Sequence, residues 1–338
     1  MNIAVLFGGI SPERNVSIVG GKAVVEALRS KGHNVIPIDP ALGRDFENAE
    51  DEIVDMALLP SDEELKNFHT RNYIDTISLP IFDDIDVAFI VLHGKNGEDG
   101  LIQSLLELRG VPYTGSKVKA SALSMDKATS KNLFSAAGIL TPQWLVLREN
   151  DAEDPEIFNE IRKELGNEVV FKPNDQGSSV GISIVQSGNL DDLEYGYRNA
   201  RHYSNSVLVE RYIPGREITV GLLGGEALPV IEVVPTEKFY DYEHKYAEGL
   251  TQYICPAELS EDLEEFVQSI AVVANNIIGA EGFARADFRL SPENEPYLLE
   301  LNTIPGFTSH SLVPMAAKEI GIEFPDLCEN IINLALKK

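Results

Sequence analysis

The chain has 338 residues, 43% of them hydrophobic and 24% charged, which are ordinary proportions for a folded protein of two or three domains. Its formal net charge of −26 argues against nucleic acid and against an anionic membrane, both of which need clustered Lys and Arg. A small anion held by a few local cations and a metal stays open.

From the start of the chain, Ile3–Phe7 reads as a buried strand, Gly8-Gly9 as a turn, and Ser11-Pro12-Glu13 as a helix start with Ser11 as the N-cap. The helix is expected to run to about Ser30 and stop before Gly32, with Val35–Ile38 as the next strand. That β-α-β opening predicts a parallel sheet covered by helices. Between Asp39 and Asp86 the pattern weakens and acids accumulate, which reads as a solvated helical excursion. Val87–Leu92 is expected to be a central strand, too short to span a bilayer, that delivers His93-Gly94 and the loop Asn96–Gly100. Met1–Phe7 has no basic segment of the kind that opens a signal peptide, so the expected location is the cytoplasm. Cys255 and Cys328 are too far apart for a metal-ligand motif or a disulfide framework and read as reduced thiols.

Beyond a boundary near Gly115-Ser116, the pattern predicts helices at Ser130–Ala137 and Glu156–Leu165 and strands at Val169–Lys172 and Val180–Val185. A second boundary is expected just after Val207–Glu210. Strands Ile218–Leu223 and Val230–Val234, the helix Leu263–Ile278, strands Arg285–Leu290 and Tyr297–Glu300, and a final helix complete the chain.

Three constellations carry chemistry. Lys172 at a strand end, followed by the loop Asn174–Gly181, offers exposed amides and a point charge for phosphate oxygens, or else a plain hairpin turn. No Walker A sequence and no dinucleotide fingerprint occurs, so a nucleotide site here is neither a P-loop nor an ordinary Rossmann site. Asp287 on one strand, with Glu300 and Asn302 ending the next, could hold Mg²⁺ or face solvent. Glu210-Arg211-Tyr212-Ile213 with Glu217 could hold adenine and ribose at a hinge, or form a linker with an ordinary salt bridge.

Taken together, Gly8-Gly9 with Ser11-Pro12-Glu13, His93-Gly94, Gly97–Gly100, Ser124–Lys127, Gly177–Gly181, 239–242 with Lys245-Tyr246, 251–253 and Glu300–Pro314 resemble the D-alanine–D-alanine ligases of the ATP-grasp superfamily. The likeness runs in order along nearly the whole chain, apart from the acidic stretch around 40–80. It departs at Tyr212, where the family often has Trp, and at Ile304, where Ser is common.

The resemblance implies an α/β (α+β) ATP-grasp fold: an N-terminal parallel-sheet domain at 1–115 and two subdomains on mainly antiparallel sheets at 116–210 and 211–338. It implies that Lys127 and Lys172 touch ATP phosphates and that Glu210, Tyr212, Ile213 and Glu217 hold adenine and ribose. Asp287, Glu300 and Asn302 would bind two Mg²⁺ (or Mn²⁺). Glu13, with Ser178 and Tyr246, would bind the first D-alanine's ammonium, and His93 and Lys245 would line the substrate sites. Arg285 and the Gly306 amide would stabilise an oxyanion, Ser311 and Leu312 would receive the second carboxylate, and 236–252 would be a lid. The implied partners are D-alanine, ATP and a second copy of the chain in a homodimer.

Three rivals remain. One is a ligase taking D-lactate second, against which Tyr246 speaks. Another is a non-catalytic nucleotide-binding scaffold, which would not need Arg285 or Glu13. The third is a dehydrogenase, for which the fingerprint is missing.

Overall fold

The computed structural model describes residues 1–43, 68–149, 151, 156–235 and 251–337. Its first layer is a three-stranded parallel sheet, ordered β2-β1-β3, from β1 (Asn2–Leu6), β2 (Asn34–Ile38) and β3 (Val87–Ile90). Ile3, Ala4, Val5 and Leu6 are all buried, as a strand covered on both faces requires. Helices α1 (Arg14–Ser30), α2 (Thr70–Ile77) and α3 (Leu101–Arg109) join this layer.

Ser11 does not cap α1. Its hydroxyl accepts the Glu13 N–H at 3.2 Å inside a turn closed by Arg14 N–H on the Ser11 carbonyl, and the cap position falls on Glu13. Of the acidic stretch, 44–67 lies outside the described residues.

The second sheet has four antiparallel strands, ordered β4-β7-β5-β6: β4 (Trp144–Arg148), β5 (Val169–Pro173), β6 (Ser183–Val185) and β7 (Ser206–Arg211). Helices α6 (Glu156–Leu165) and α7 (Leu190–Tyr203) cover it around Phe171, Ile161 and Leu193. Strand β6 is shorter than the apolar run 180–185 predicts, because Ser178, Ser179 and Gly181 all take positive φ and keep that stretch in a turn.

The third sheet, β10-β9-β8-β11-β12, is antiparallel throughout: β8 (Arg216–Leu223), β9 (Glu226–Pro235), β10 (Thr251–Ile254), β11 (Phe283–Leu290) and β12 (Pro296–Asn302). It packs on α8 (Glu261–Ile278) and on the helix pair α4 (Val118–Met125) and α5 (Lys127–Ala136), through Ala120, Phe134, Val267 and Phe288. The expected final helix is two, α9 (Leu312–Glu319) and α10 (Phe324–Leu336). The second sends Leu327, Ile331 and Ile332 back into the core of the first layer. No helix among the described residues is long and apolar enough to cross a membrane.

Candidate functional site

Between the second and third sheets lies a cleft of about 380 Å³, lined by Lys127, Lys172, Glu210, Tyr212, Ile213, Glu217, Asp287 and Glu300 among others. Eight residues singled out from scattered segments of the sequence thus meet at one place.

Glu210 is not a hinge residue. It sits within β7, paired across the sheet to Trp144 of β4 and Val170 of β5, and is buried. Its two carboxylate oxygens each meet an ammonium at 2.6 Å, Lys131 on one side and Lys172 on the other. Burial works to raise its pKa, but the two lysines outweigh that and hold the carboxyl below its ordinary range. Lys127, at the N-terminus of α5, donates to the Gln176 carbonyl at 2.6 Å and pairs with Glu300 at 3.1 Å. Burial pushes its ammonium down, yet Glu300, with Glu98 and Glu13, raises it overall. Tyr212, Ile213 and Gly215 form the strap into β8, tied by Arg289 Nε to the Ile213 carbonyl at 3.1 Å and by its guanidinium to Gly215 at 2.7 Å. Glu217 stands opposite Arg289 in the β8–β11 ladder.

On the facing sheet, Asp287 pairs in register with Glu300, and Arg285 with Asn302. Asp287 accepts from Arg285 in two bonds of 2.7 Å, from Thr219 at 2.6 Å and from Asn302 Nδ2 at 2.8 Å. The amide of Asn302 uses its N–H on Asp287, so its oxygen is what it offers a cation. Two carboxylates and an amide oxygen on neighbouring rungs are an all-oxygen set that suits a hard divalent ion.

Beside the cleft, Glu13 is buried and accepts a hydrogen bond from Ser178 Oγ. The loop bearing Ser178 wraps it so closely that a Cβ on Gly177 would lie 2.9 Å from its carboxylate. His93 is buried with Nδ1 3.0 Å from the Ile304 carbonyl, and burial drives its pKa down against the opposing pull of Glu13. Ile304 leads to Gly306, and the Thr308 N–H donates to Ser311 Oγ at 2.9 Å at the start of α9, ahead of Leu312. Lys245, Tyr246 and 236–250 of the expected lid lie outside the described residues.

Two residues of this region had been given no role from the sequence. Glu98 accepts the Gly94 N–H at 2.7 Å, and burial together with the nearby Glu13 charge pushes its carboxyl up to about 8. Lys131 follows Lys127 by one turn on α5, a spacing that places both on one helix face and could have drawn attention to it.

The family model described as D-ala D-ala ligase N-terminus matches residues 2–116, and that described as D-ala D-ala ligase C-terminus matches 133–333. A D-alanine–D-alanine ligase of Magnetococcus marinus is 42% identical over 99% of this chain and 98% of its own length. The crystal structure of a Bacillus anthracis D-alanine–D-alanine ligase complexed with ATP superposes with a TM-score of 0.78 at 30% identity, covering 100% of this chain and 98% of that one. A D-Ala:D-Ser ligase of Enterococcus faecalis superposes nearly as well, with a TM-score of 0.77 at 30% identity over 99% of each chain.

Proposed function

The chain belongs to the D-alanine–D-alanine ligase family, and from that premise we propose that it joins two D-alanines into a dipeptide at the expense of ATP, for peptidoglycan precursor synthesis. The observation that carries the reading is the convergence of Lys127, Lys172, Glu210, Asp287 and Glu300 on one cleft.

A carboxylate is a poor acyl donor. Its oxygen first attacks the γ-phosphate of ATP, giving an acyl phosphate and ADP, and the amine of the second D-alanine then displaces phosphate. Lys127 and Lys172, which line the cleft, would contact the ATP phosphates, and Glu210 with Tyr212, Ile213 and Glu217 would hold base and ribose. Asp287, Glu300 and Asn302 would hold two Mg²⁺ or Mn²⁺, which offset charge between the two anions. Glu13, oriented by Ser178, would pair with the first ammonium, and His93 would line the substrate site beside it. Arg285 and the Gly306 amide would stabilise the oxyanion, and Ser311 with Leu312 would receive the second carboxylate. Lys245 and Tyr246 would complete the substrate sites from the lid. A division into 1–115, 116–210 and 211–338, a cytoplasmic location and a homodimer through the N-terminal layer belong to the same proposal.

The second substrate is the open choice, since the fold is shared with a D-Ala:D-Ser ligase. A coupled assay for ADP release with D-alanine alone, and with D-serine, D-lactate or L-alanine added, tests the reading. D-Alanine alone should support turnover. Release that depends on one of the other acids would overturn the dipeptide assignment, and no release with any of them would overturn the ligase assignment.

A further inference from the structure

The buried triad beneath the cleft holds one more lysine than a phosphate contact needs. Lys172 and Glu210 line the cleft, whereas Lys131 is fully buried behind Glu210. Lys131 is fastened on its other sides by Thr141 Oγ1 at 2.5 Å and by the Trp144 ring, whose centroid is 5.1 Å from Nζ. With both lysines charged, the triad carries a net +1 in a buried place, an arrangement that costs free energy until an anion arrives.

We infer that Lys131 is a positioning residue for the nucleotide, holding Glu210 from behind so that Lys172 can exchange it for a phosphate without leaving a carboxylate buried and unpaired. The inference rests on the proposed nucleotide site and deepens it. Held in this way, Glu210 presents an acceptor of fixed direction to the cleft. Such an acceptor suits the exocyclic amine of adenine and repels the carbonyl oxygen that guanine carries at the same place. Lys131 therefore contributes to the choice of base without touching it.

The groups facing Lys131 are Glu210 on β7, Lys172 on β5 and Glu300 on β12, with Thr141 and Trp144. Burial first, and then the like charge of Lys172, lower its ammonium to about 8 despite Glu210. Charge on Lys131, and with it the hold on Glu210, should therefore be lost as pH rises through that value.

The test compares kcat/KM for ATP and for GTP in the full chain with D-alanine, for the unmodified protein and for Lys131→Met, Thr141→Val and Glu210→Gln. Glu210→Gln should erase the preference for ATP. Lys131→Met should erode it too, with KM for ATP raised at least about tenfold, the loss expected for one charged hydrogen bond. Thr141→Val removes the other hydrogen bond on the ammonium but leaves its ion pair with Glu210, so at mildly acidic pH it should keep the preference, which separates that pair from the packing around it. In the unmodified protein the ATP:GTP ratio should fall above about pH 8. Taking the ratio cancels groups such as Glu98 that serve both nucleotides alike.

A folded Lys131→Met chain with its preference intact would overturn the role of Lys131. If that variant does not fold, a ratio flat across this pH range in the unmodified protein overturns it instead. If Glu210→Gln leaves the preference unchanged, the base-reading assignment of Glu210 fails first, and this inference with it.

Discussion

Glu98 and Glu210 are both buried glutamates at the edges of one site, yet they sit in opposite charge states. Glu98, in the loop after β3, has amide donors but also Glu13 nearby, and its carboxyl is pushed up to about 8 by burial and that charge. Glu210, inside β7, has an ammonium on each oxygen and is held below the ordinary carboxylate range. Burial alone would have raised both. What separates them is the charge of the neighbours, so depth in the protein is a poor guide to ionisation.

The largest test of this contrast is Lys172→Met. It removes one of the two charges that keep Glu210 ionised, and it should cost about 2–4 kcal/mol in transition-state stabilisation. In the structure Lys172 is buried and paired, so a stability loss of about 1–3 kcal/mol is expected as well. Near-normal ADP release by this variant would show that the lysine does not serve the phosphates.

Glu13→Gln comes next, with an expected rise in KM for the first D-alanine worth about 1.5–3 kcal/mol and little change for ATP. The same substitution removes the charge facing Glu98, so the Glu98 carboxyl should titrate lower than about 8. Isotope-edited infrared or carbon NMR titration reads that shift. A Glu98 titration unmoved by Glu13→Gln would mean burial alone sets its state.

Smaller effects come from pH, and here the two glutamates should tilt stability in opposite directions. The folded pKa of Glu98 lies above its ordinary value of 4.5, so between 4.5 and about 8 the native state binds more protons than the unfolded one, and stability declines as pH rises. Glu98→Gln mimics the protonated form. Its melting temperature should match the unmodified chain near pH 5 and exceed it above pH 8. Glu210 behaves in reverse: its contribution is present above 4.5 and lost as pH falls through its lowered folded value. Parallel melting curves for Glu98→Gln and the unmodified chain from pH 5 to 9 would contradict the contrast.

The smallest effect is expected for Asn302→Ala, which removes one hydrogen bond to Asp287 and leaves those from Arg285 and Thr219 in place. It should shift the Mg²⁺ titration of activity to higher concentration. An unchanged curve would make Asn302 purely structural.

Much of the fold was legible where pattern and burial coincide. Ile3–Leu6 is apolar without interruption because both faces of β1 are covered. The helix at Glu156–Leu165 was readable because its apolar positions Phe158, Ile161 and Leu165 recur at helical spacing. β4 was missed because only Leu147 of Trp144–Arg148 is buried and the strand lacks a clean alternation. The long apolar run at 180–185 hid a turn, since positive φ at Ser178 and Ser179 leaves no mark in residue type.

Within the site, the family resemblance named most of the cleft residues. It could not show that Glu210 is clamped by Lys131, because that contact joins α5 to β7 between residues 79 positions apart in the chain. Glu98 lay in plain view within a quoted motif. Its charge state depends on Glu13, 85 positions away, and no local pattern carries that information.

Glu13 also leans on two glycines from separate loops. A Cβ at Gly94 would stand 2.5 Å from its carboxylate, and one at Gly177 would stand 2.9 Å away. In the language of mutational landscapes, both positions are closed to variation as long as the carboxylate keeps its place. A saturation library selected for growth should be swept clean of every substitution at 94 and 177. Adaptation of this pocket to a larger amino acid would then have to begin elsewhere on its wall, which narrows the paths open to a drifting lineage.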